Sequence, residues 1–282
     1  RQRQMCIRDS NLPKAVPVND INEVLSAHDV IMHFPLSPKD VTMNLTPWFH
    51  RGGLHSGGPC PTLYIGGTMV ILRDFTPRLA LQYVSLYHIT FLIGAPTVID
   101  MLCRIQETNP RDISSLHGIV LMGSPLDKEP CKRYMKVLTP NIFNGYGTTE
   151  TFWNVFLRPY DLPDKAGYAG GACTDDDVRV VRVDTTKHVS PDELVPMDKK
   201  TVGEVVIFAP NKSTFAYYDN PKTTEEKFHN GWLYTGDLAT WDEHAYITII
   251  GRKDDMIVSA GENIYPVQVE SCLLYTSPSP RD

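Results

Sequence analysis

From Asn11 to about Arg158, short apolar runs closed by Gly, Pro or Asn alternate with longer stretches of helical period, and few folds accommodate that alternation. The runs are VTMNLTP, TMVIL, TFLIGAP, GIVLMGSP and NIFNGYG. Each is short and largely apolar throughout, as a strand covered on both faces must be. Between them lie PRLALQYVSLYH, PTVIDMLCRIQET and DKEPCKRYMKVL, which space their apolar residues for one face of a helix. Strands joined through helices predict an α/β body with a mostly parallel sheet flanked by helices, its ligands at the carboxyl ends of the strands.

After Pro159 the texture changes. DVRVVRVD, GEVVIFAP, WLYTGDLATWD and AYITIIGR read as strands separated by turns, with one short helix, TTEEKF, between them. Thr223 and Glu226 have the spacing of a capping box at the start of that helix. The expectation is a smaller antiparallel, β-barrel-like subdomain over residues 159–253, attached to the α/β part over 11–158.

The two termini stand apart. Met5 to Ser10, MCIRDS, can be coded ATG TGT ATA AGA GAC AG; the reverse complement, read one base in, spells Cys-Leu-Leu-Tyr-Thr, residues 272–276. An inverted repeat at both ends is what a ligated adapter produces, and the pattern resembles translated transposase adapters. Residues 1–10 and 272–282 are therefore expected to be adapter-coded. The helix that opens near Val267 is then expected to be cut, not ended.

Setting those ends aside changes the bounds. The whole chain carries a formal charge of −6; removing Arg1, Arg3, Arg8 and Asp9, a surplus of two positive charges, and the neutral pair Arg281 and Asp282 leaves −8. An acidic chain has no electrostatic footprint for nucleic acid. Four cysteines remain, Cys60, Cys103, Cys131 and Cys173, with no Cys-x-x-Cys pair, which suits a reducing cytoplasm better than a disulfide framework. The apolar runs are too short to span a bilayer. Oligomeric state leaves no mark in the sequence.

NGYGTTE, Asn144 to Glu150, carries the densest chemistry. Gly145 and Gly147 would let backbone approach a flat ligand, Tyr146 offers a stacking face, Thr148 and Thr149 can donate to phosphate oxygens, and Glu150 can hold Mg²⁺. A strand-to-helix turn, with a Thr as N-cap and Glu150 in the first helical turn, accounts for the same letters.

The stretch Gly231 to Glu270 decides between them. YTGDL, GRKDD and GENIYP follow NGYGTTE in order, joined by GSPL at Gly123 to Leu126, GEV at Gly203 to Val205 and YYDNP at Tyr217 to Pro221. Together they resemble the adenylate-forming superfamily of acyl-CoA synthetases, firefly luciferases and peptide-synthetase adenylation domains, over about half of a full family chain. The resemblance implies joining of a carboxylic acid to ATP, release of pyrophosphate, and transfer of the acyl group to a thiol, with ATP, Mg²⁺ and CoA as cofactor and co-substrates. It implies Thr149 as a phosphate donor, Glu150 as the Mg²⁺ ligand, Tyr146 on the adenine with Gly123, Ser124 and Pro125 on its other side, and Asp237 with Arg252 on the ribose. Asn144, Gly145, Gly147 and Thr148 complete the nucleotide cradle.

Lys14, in LPKAVPV, matches the end of the family's glycine-rich phosphate loop, most of which is missing here. His50, His55 and Cys60 share no helical or strand face and are not expected to bind metal; the resemblance places Phe49 and His50 at the acyl tunnel instead. Asp254 takes the hinge position, opening residues 254–271 as the start of a small C-terminal domain, and Gly261 belongs to a loop facing the thiol acceptor. GENIYPVQVE resembles the CoA-ligase version, and the chain itself is expected to be nearly inactive. An adenylation domain loading a carrier-protein thiol, and a nucleotide-binding module without catalysis, stay open as alternatives. The carboxylic acid is not legible.

Overall fold

The computed structural model of the 282-residue chain describes residues 2–6, 14–184, 187–255, 257–259, 262–264 and 266. Gln2–Cys6 (β1), inside the segment set aside as adapter-coded, pairs antiparallel with Lys14–Val18 (β2). Helix Asp20–His33 (α1) follows, its N-terminus closed reciprocally by Asn19 and Asn22. Then come Val41–Asn44 (β3), Arg51–His55 (α2), Pro59–Tyr64 (α3), Thr68–Met69 (β4), Pro77–Tyr87 (α4), Phe91–Gly94 (β5), Pro96–Thr108 (α5), Gly118–Met122 (β6), Lys128–Val137 (α6) and Ile142–Thr148 (β7). Helices α3, α4 and α5 begin with Pro, where the missing N–H costs nothing.

Among the described residues the main sheet has seven strands in the order β4-β3-β5-β6-β7-β8-β9, with Phe152–Leu157 as β8 and Gly171–Ala172 as β9. Every pair from β4 to β7 is parallel; β8 and β9 run antiparallel. The central strands β5 and β6 carry no polar side chain because both faces are covered. Leu92, Ile119, Leu121 and Ile142 pack with Leu81, Leu102 and Tyr134 of α4, α5 and α6. Phe91, Ile93, Val120 and Phe143 point the other way, to Val30 of α1, to Phe34 and to the aromatic group Phe152, Trp153 and Phe156. Consecutive residues thus feed opposite cores, the period-two geometry of a strand buried on both sides.

The second sheet is antiparallel: Asp177–Val181 (β10), Gly203–Phe208 (β11), Phe228–His229 (β12), Trp232–Trp241 (β13) and Ile247–Arg252 (β14), in the order β10-β11-β13-β12 with β14 also on β13. Its core holds Val180, Val205, Ile207, Ala239 and Trp241, and a bridge between Gly170 and Ile247 ties it to the main sheet beside β9. The expected α/β body with a β-rich addition is what forms. Pro221–Lys227 (α7) is capped by Asn220, whose side chain accepts from Thr223 N at 3.2 Å; Thr223 is inside the helix, so the expected Thr223–Glu226 capping box gives way to an Asn-Pro start three residues earlier. Ile257–Ser259 (β15) and Glu262–Ile264 (β16) pair antiparallel, while the helix expected at Val267 lies outside the described residues.

The two halves are fastened by a buried charge network. Lys212, on the connection after β11, donates to Asp29 of α1 at 2.8 Å, to Asp176 at 2.7 Å and to the Trp153 carbonyl of β8 at 2.6 Å. One ammonium faces two buried carboxylates, and the burial that leaves a negative charge uncompensated pushes the Asp176 carboxyl up to about 6. Lys212→Met should cost about 3–5 kcal/mol in a urea melt, because it strands both carboxylates, and adding Asp29→Asn and Asp176→Asn should recover part of the loss. Because folded Asp176 keeps its proton to higher pH than the unfolded chain does, its contribution to stability is greatest below about pH 4 and declines as pH rises through about 6. Asp176→Asn should flatten that decline in melts run across the range.

Candidate active site

The carboxyl ends of β3, β6 and β7 lie along one edge of the main sheet, since these strands are parallel. That edge gathers the sequence-predicted residues. Gly123, Ser124 and Pro125 follow β6 and are exposed, with Gly123 at φ +85°, a left-handed conformation that favours glycine. Met122 pairs with Gly145, so this turn sits beside the NGYGTTE segment. Phe49 and His50 lie between β3 and α2, their rings 4.6 Å apart, and Phe49 is 76 % exposed.

No helix follows NGYGTTE. The chain turns back at residues 149–151 into β8, and Thr148 Oγ1 accepts from Thr151 N at 3.3 Å within this turn. The rival reading of these letters, an N-cap leading into a helix, is therefore not what forms. The glycines also have a structural use that the sequence does not announce. A Cβ on Gly147 would lie 1.7 Å from the Phe152 carbonyl oxygen, and one on Gly145 2.9 Å from the Trp153 ring. Their missing side chains let the hairpin close on itself, with the bulge between Tyr146 and Gly147 in its register.

Across this edge stands β13. Tyr146 Oη donates to Asp237 Oδ2 at 2.6 Å, and Arg252 of β14 donates to Asp237 Oδ1 at 2.8 Å. Asp237 thus joins the two sheets, each oxygen held from one side, while its own N–H donates to Thr235 Oγ1 at 3.0 Å. Burial, and next the adjacent Asp237 carboxylate, raise the Tyr146 phenol well above its ordinary range, so it remains a donor. Gly236, at φ +76°, lies inside β13 where its register against β11 shifts, and its N–H donates to Glu204, which also pairs with Lys253 at 2.8 Å.

Glu150 is buried below the same edge. Tyr217 Oη donates to Glu150 Oε1 at 2.5 Å, and among the described residues Oε2 accepts no hydrogen bond. Lys14 Nζ lies 5.6 Å from the centre of the Tyr217 ring, so Lys14 and Glu150 share a neighbour although they are far apart in sequence. The Thr149 carbonyl is gripped at 2.7 Å by Arg51, a buried guanidinium that also donates to Ser26 Oγ and to the Lys212 carbonyl. Asn144 is buried at the root of the segment. Asp254 is exposed in the turn after β14, and Gly261 lies outside the described residues.

Arg51 and Tyr217 are what the sequence reading missed. Tyr217 stands inside the quoted YYDNP, where nothing marks which Tyr turns inward. Arg51 follows His50 with no local pattern at all.

A carboxyl-end edge on a mostly parallel sheet, faced by an antiparallel sheet whose Asp237 bonds Tyr146 across the gap, is the architecture of the adenylate-forming class. The chain belongs to the AMP-binding enzyme family, whose model matches residues 12–218. It is 31% identical over 261 residues to a feruloyl-CoA synthase from Amycolatopsis sp, covering 92% of this chain and 50% of that protein. The fold superposes on O-succinylbenzoate coenzyme A synthetase from Bacillus subtilis in complex with AMP, at TM-score 0.85 and 27% identity, covering 98% of this chain and 54% of that one. The same enzyme in complex with ATP and magnesium ion gives TM-score 0.84 and 26% identity, covering 97% and 54%. The chain spans about half the length of the relatives it matches.

Gly147→Ala should destabilise the chain by about 1–3 kcal/mol, since the hairpin must open to admit the methyl group. Gly171→Ala, whose added Cβ would meet Tyr246 at an ordinary 3.7 Å, should leave the thermal midpoint nearly unchanged. Differential scanning fluorimetry of the two variants separates hairpin closure from a general cost of removing glycine.

Proposed function

We propose that the parent protein is an ATP-dependent, AMP-forming acid–thiol ligase that activates a carboxylic acid as its acyl-adenylate and then transfers the acyl group to CoA. The carrying observation is Asp237, held by Tyr146 from one sheet and by Arg252 from the other. A carboxylate fixed in that way can accept both hydroxyls of a ribose, while Tyr146 and the Gly123–Pro125 turn flank the base. The names of the relatives, feruloyl-CoA synthase and O-succinylbenzoate coenzyme A synthetase, support CoA as the thiol.

In the first step a carboxylate oxygen bonds to the α-phosphorus and the bond to pyrophosphate breaks. In the second, a thiolate attacks the acyl carbon and AMP leaves. The first step brings two anions together, so donors and cations around the phosphate carry most of the catalysis. On this reading Thr149 donates to phosphate oxygen, and Lys14 adds positive charge from the Tyr217 side. The donor set fits Mg²⁺: Tyr217 fixes one Glu150 oxygen, and the other, which accepts no hydrogen bond among the described residues, would serve as a hard ligand. When bound there, the ion would neutralise phosphate charge. Arg51 keeps the turn that carries Thr149 and Glu150 from shifting. Phe49 and His50 border the acyl group, and Asp254 and Gly261 serve the hinge and the thiol-side loop.

In the full-length protein, Asp237→Ala should raise the KM for ATP about 10–100-fold, the loss of hydrogen bonds to a charged group, with kcat less affected. The 282-residue chain alone should release no pyrophosphate above background with ATP and a carboxylic acid. Full activity of the Asp237 variant would overturn the ribose assignment; turnover by the short chain would overturn its inactivity.

A further inference from the structure

Spacing along PWFHRGGLHSGGPC argues against a metal site, yet the fold brings two of its residues to a third from another helix. Glu23 of α1, His55 at the end of α2 and Cys60 of α3 each present a ligand atom, all within 4.8 Å of one another. His50 is not among them. The glycines make this possible. Gly57 takes φ +68°, and a Cβ on Gly58 would lie 2.0 Å from the Gly53 carbonyl oxygen, so the chain can fold α3 straight back on α2.

The ring of His55 is already oriented as a ligand. Its Nδ1 donates to the Arg51 carbonyl at 3.0 Å, which directs Nε2 toward Glu23 Oε2 at 2.7 Å, and Phe152 holds the ring edge-on at 5.5 Å. Glu23 Oε1 is buried with no hydrogen-bond partner among the described residues. Cys60 is a free, partly exposed thiol. A second group of similar composition, Asp29, His33 and Cys173, already holds cations: Lys212 is 2.8 Å from Asp29, and Arg158 donates to His33 Nδ1 at 2.6 Å.

We propose that Glu23, His55 and Cys60 form a zinc-type divalent-metal site that clips α1, α2 and α3 together. Imidazole nitrogen, thiolate and one carboxylate select a borderline ion such as Zn²⁺ over Mg²⁺, and three protein ligands leave a fourth position for water. Binding exchanges the proton on His55 Nε2 and the Cys60 thiol proton for the metal, releasing both to solvent. The guanidinium of Arg51 faces Glu23 and opposes a second cation, which limits affinity. The clip lies one helical turn from Arg51, whose grip on the Thr149 carbonyl reaches the Glu150 turn.

The test is anaerobic titration of the chelator-treated 282-residue chain with Co²⁺. One equivalent should produce a thiolate-to-cobalt charge-transfer band with tetrahedral d–d bands, all displaced by Zn²⁺. Cys60→Ser, nearly isosteric, should abolish the charge-transfer band, and His55→Gln should weaken binding by at least about 10-fold. Zn²⁺ should slow alkylation of Cys60 in the unaltered chain, read by mass spectrometry, a measurement that stands even where His55→Gln does not fold. A charge-transfer band that survives Cys60→Ser, no band at one equivalent, or unchanged alkylation would each overturn the site.

Discussion

Lys212 sets the condition for everything above it. Its ammonium is taken out of water where α1, β8 and the loop at Asp176 meet, and three acceptors from three parts of the chain surround it. A lone ammonium there would be very costly, so these elements can pack only when all of them are in place. The lysine carbonyl in turn accepts from Arg51, which holds the Thr149 carbonyl, so the site turn inherits its position from that buried charge. Apolar contact alone is tolerant of small sliding. A network of directed hydrogen bonds is not, and this one passes directly behind Glu150.

The site itself belongs to neither sheet. The main sheet supplies Tyr146, the Gly123 turn and the Glu150 turn, and the antiparallel sheet supplies Asp237 and Arg252. At the candidate site the contact between them runs through the Asp237 carboxylate. Glu150 is similarly shared, since Tyr217 comes from the segment that leads from β11 into α7 while its neighbour Lys14 comes from β2. Residues far apart in sequence therefore meet through side chains that bond one another first.

Much of this was legible in the chain. The parallel body could be read because doubly covered strands are apolar at every position, as Leu92 and Phe91 show by serving opposite cores. The change after Pro159 was visible as strands without helices between them. NGYGTTE, YTGDL and GRKDD marked the candidate site, and the fold joins these segments through Tyr146, Asp237 and Arg252. What stayed hidden depends on three-dimensional closure. Arg51 has no partner near it in sequence; its acceptors lie at Ser26, Thr149 and Lys212. The glycines of NGYGTTE looked like room for a ligand, and nothing local says that Phe152 comes back against them. The Glu23, His55 and Cys60 group is invisible for the same reason, because spacing within one segment cannot report a ligand from α1.

The closed hairpin has a consequence for how such a site can diversify. At Gly147 two backbones touch, and backbone cannot be exchanged for something smaller. Neither side of the hairpin can therefore be carved wider by substitution, and the wall it forms has a fixed contour. Phe49, by contrast, is an exposed side chain that meets the structure through its ring contact with His50, before a helix only five residues long. On the proposed reading, variation in the size of what the site admits would fall on Phe49, where a large ring can become a small one at little expense to the fold.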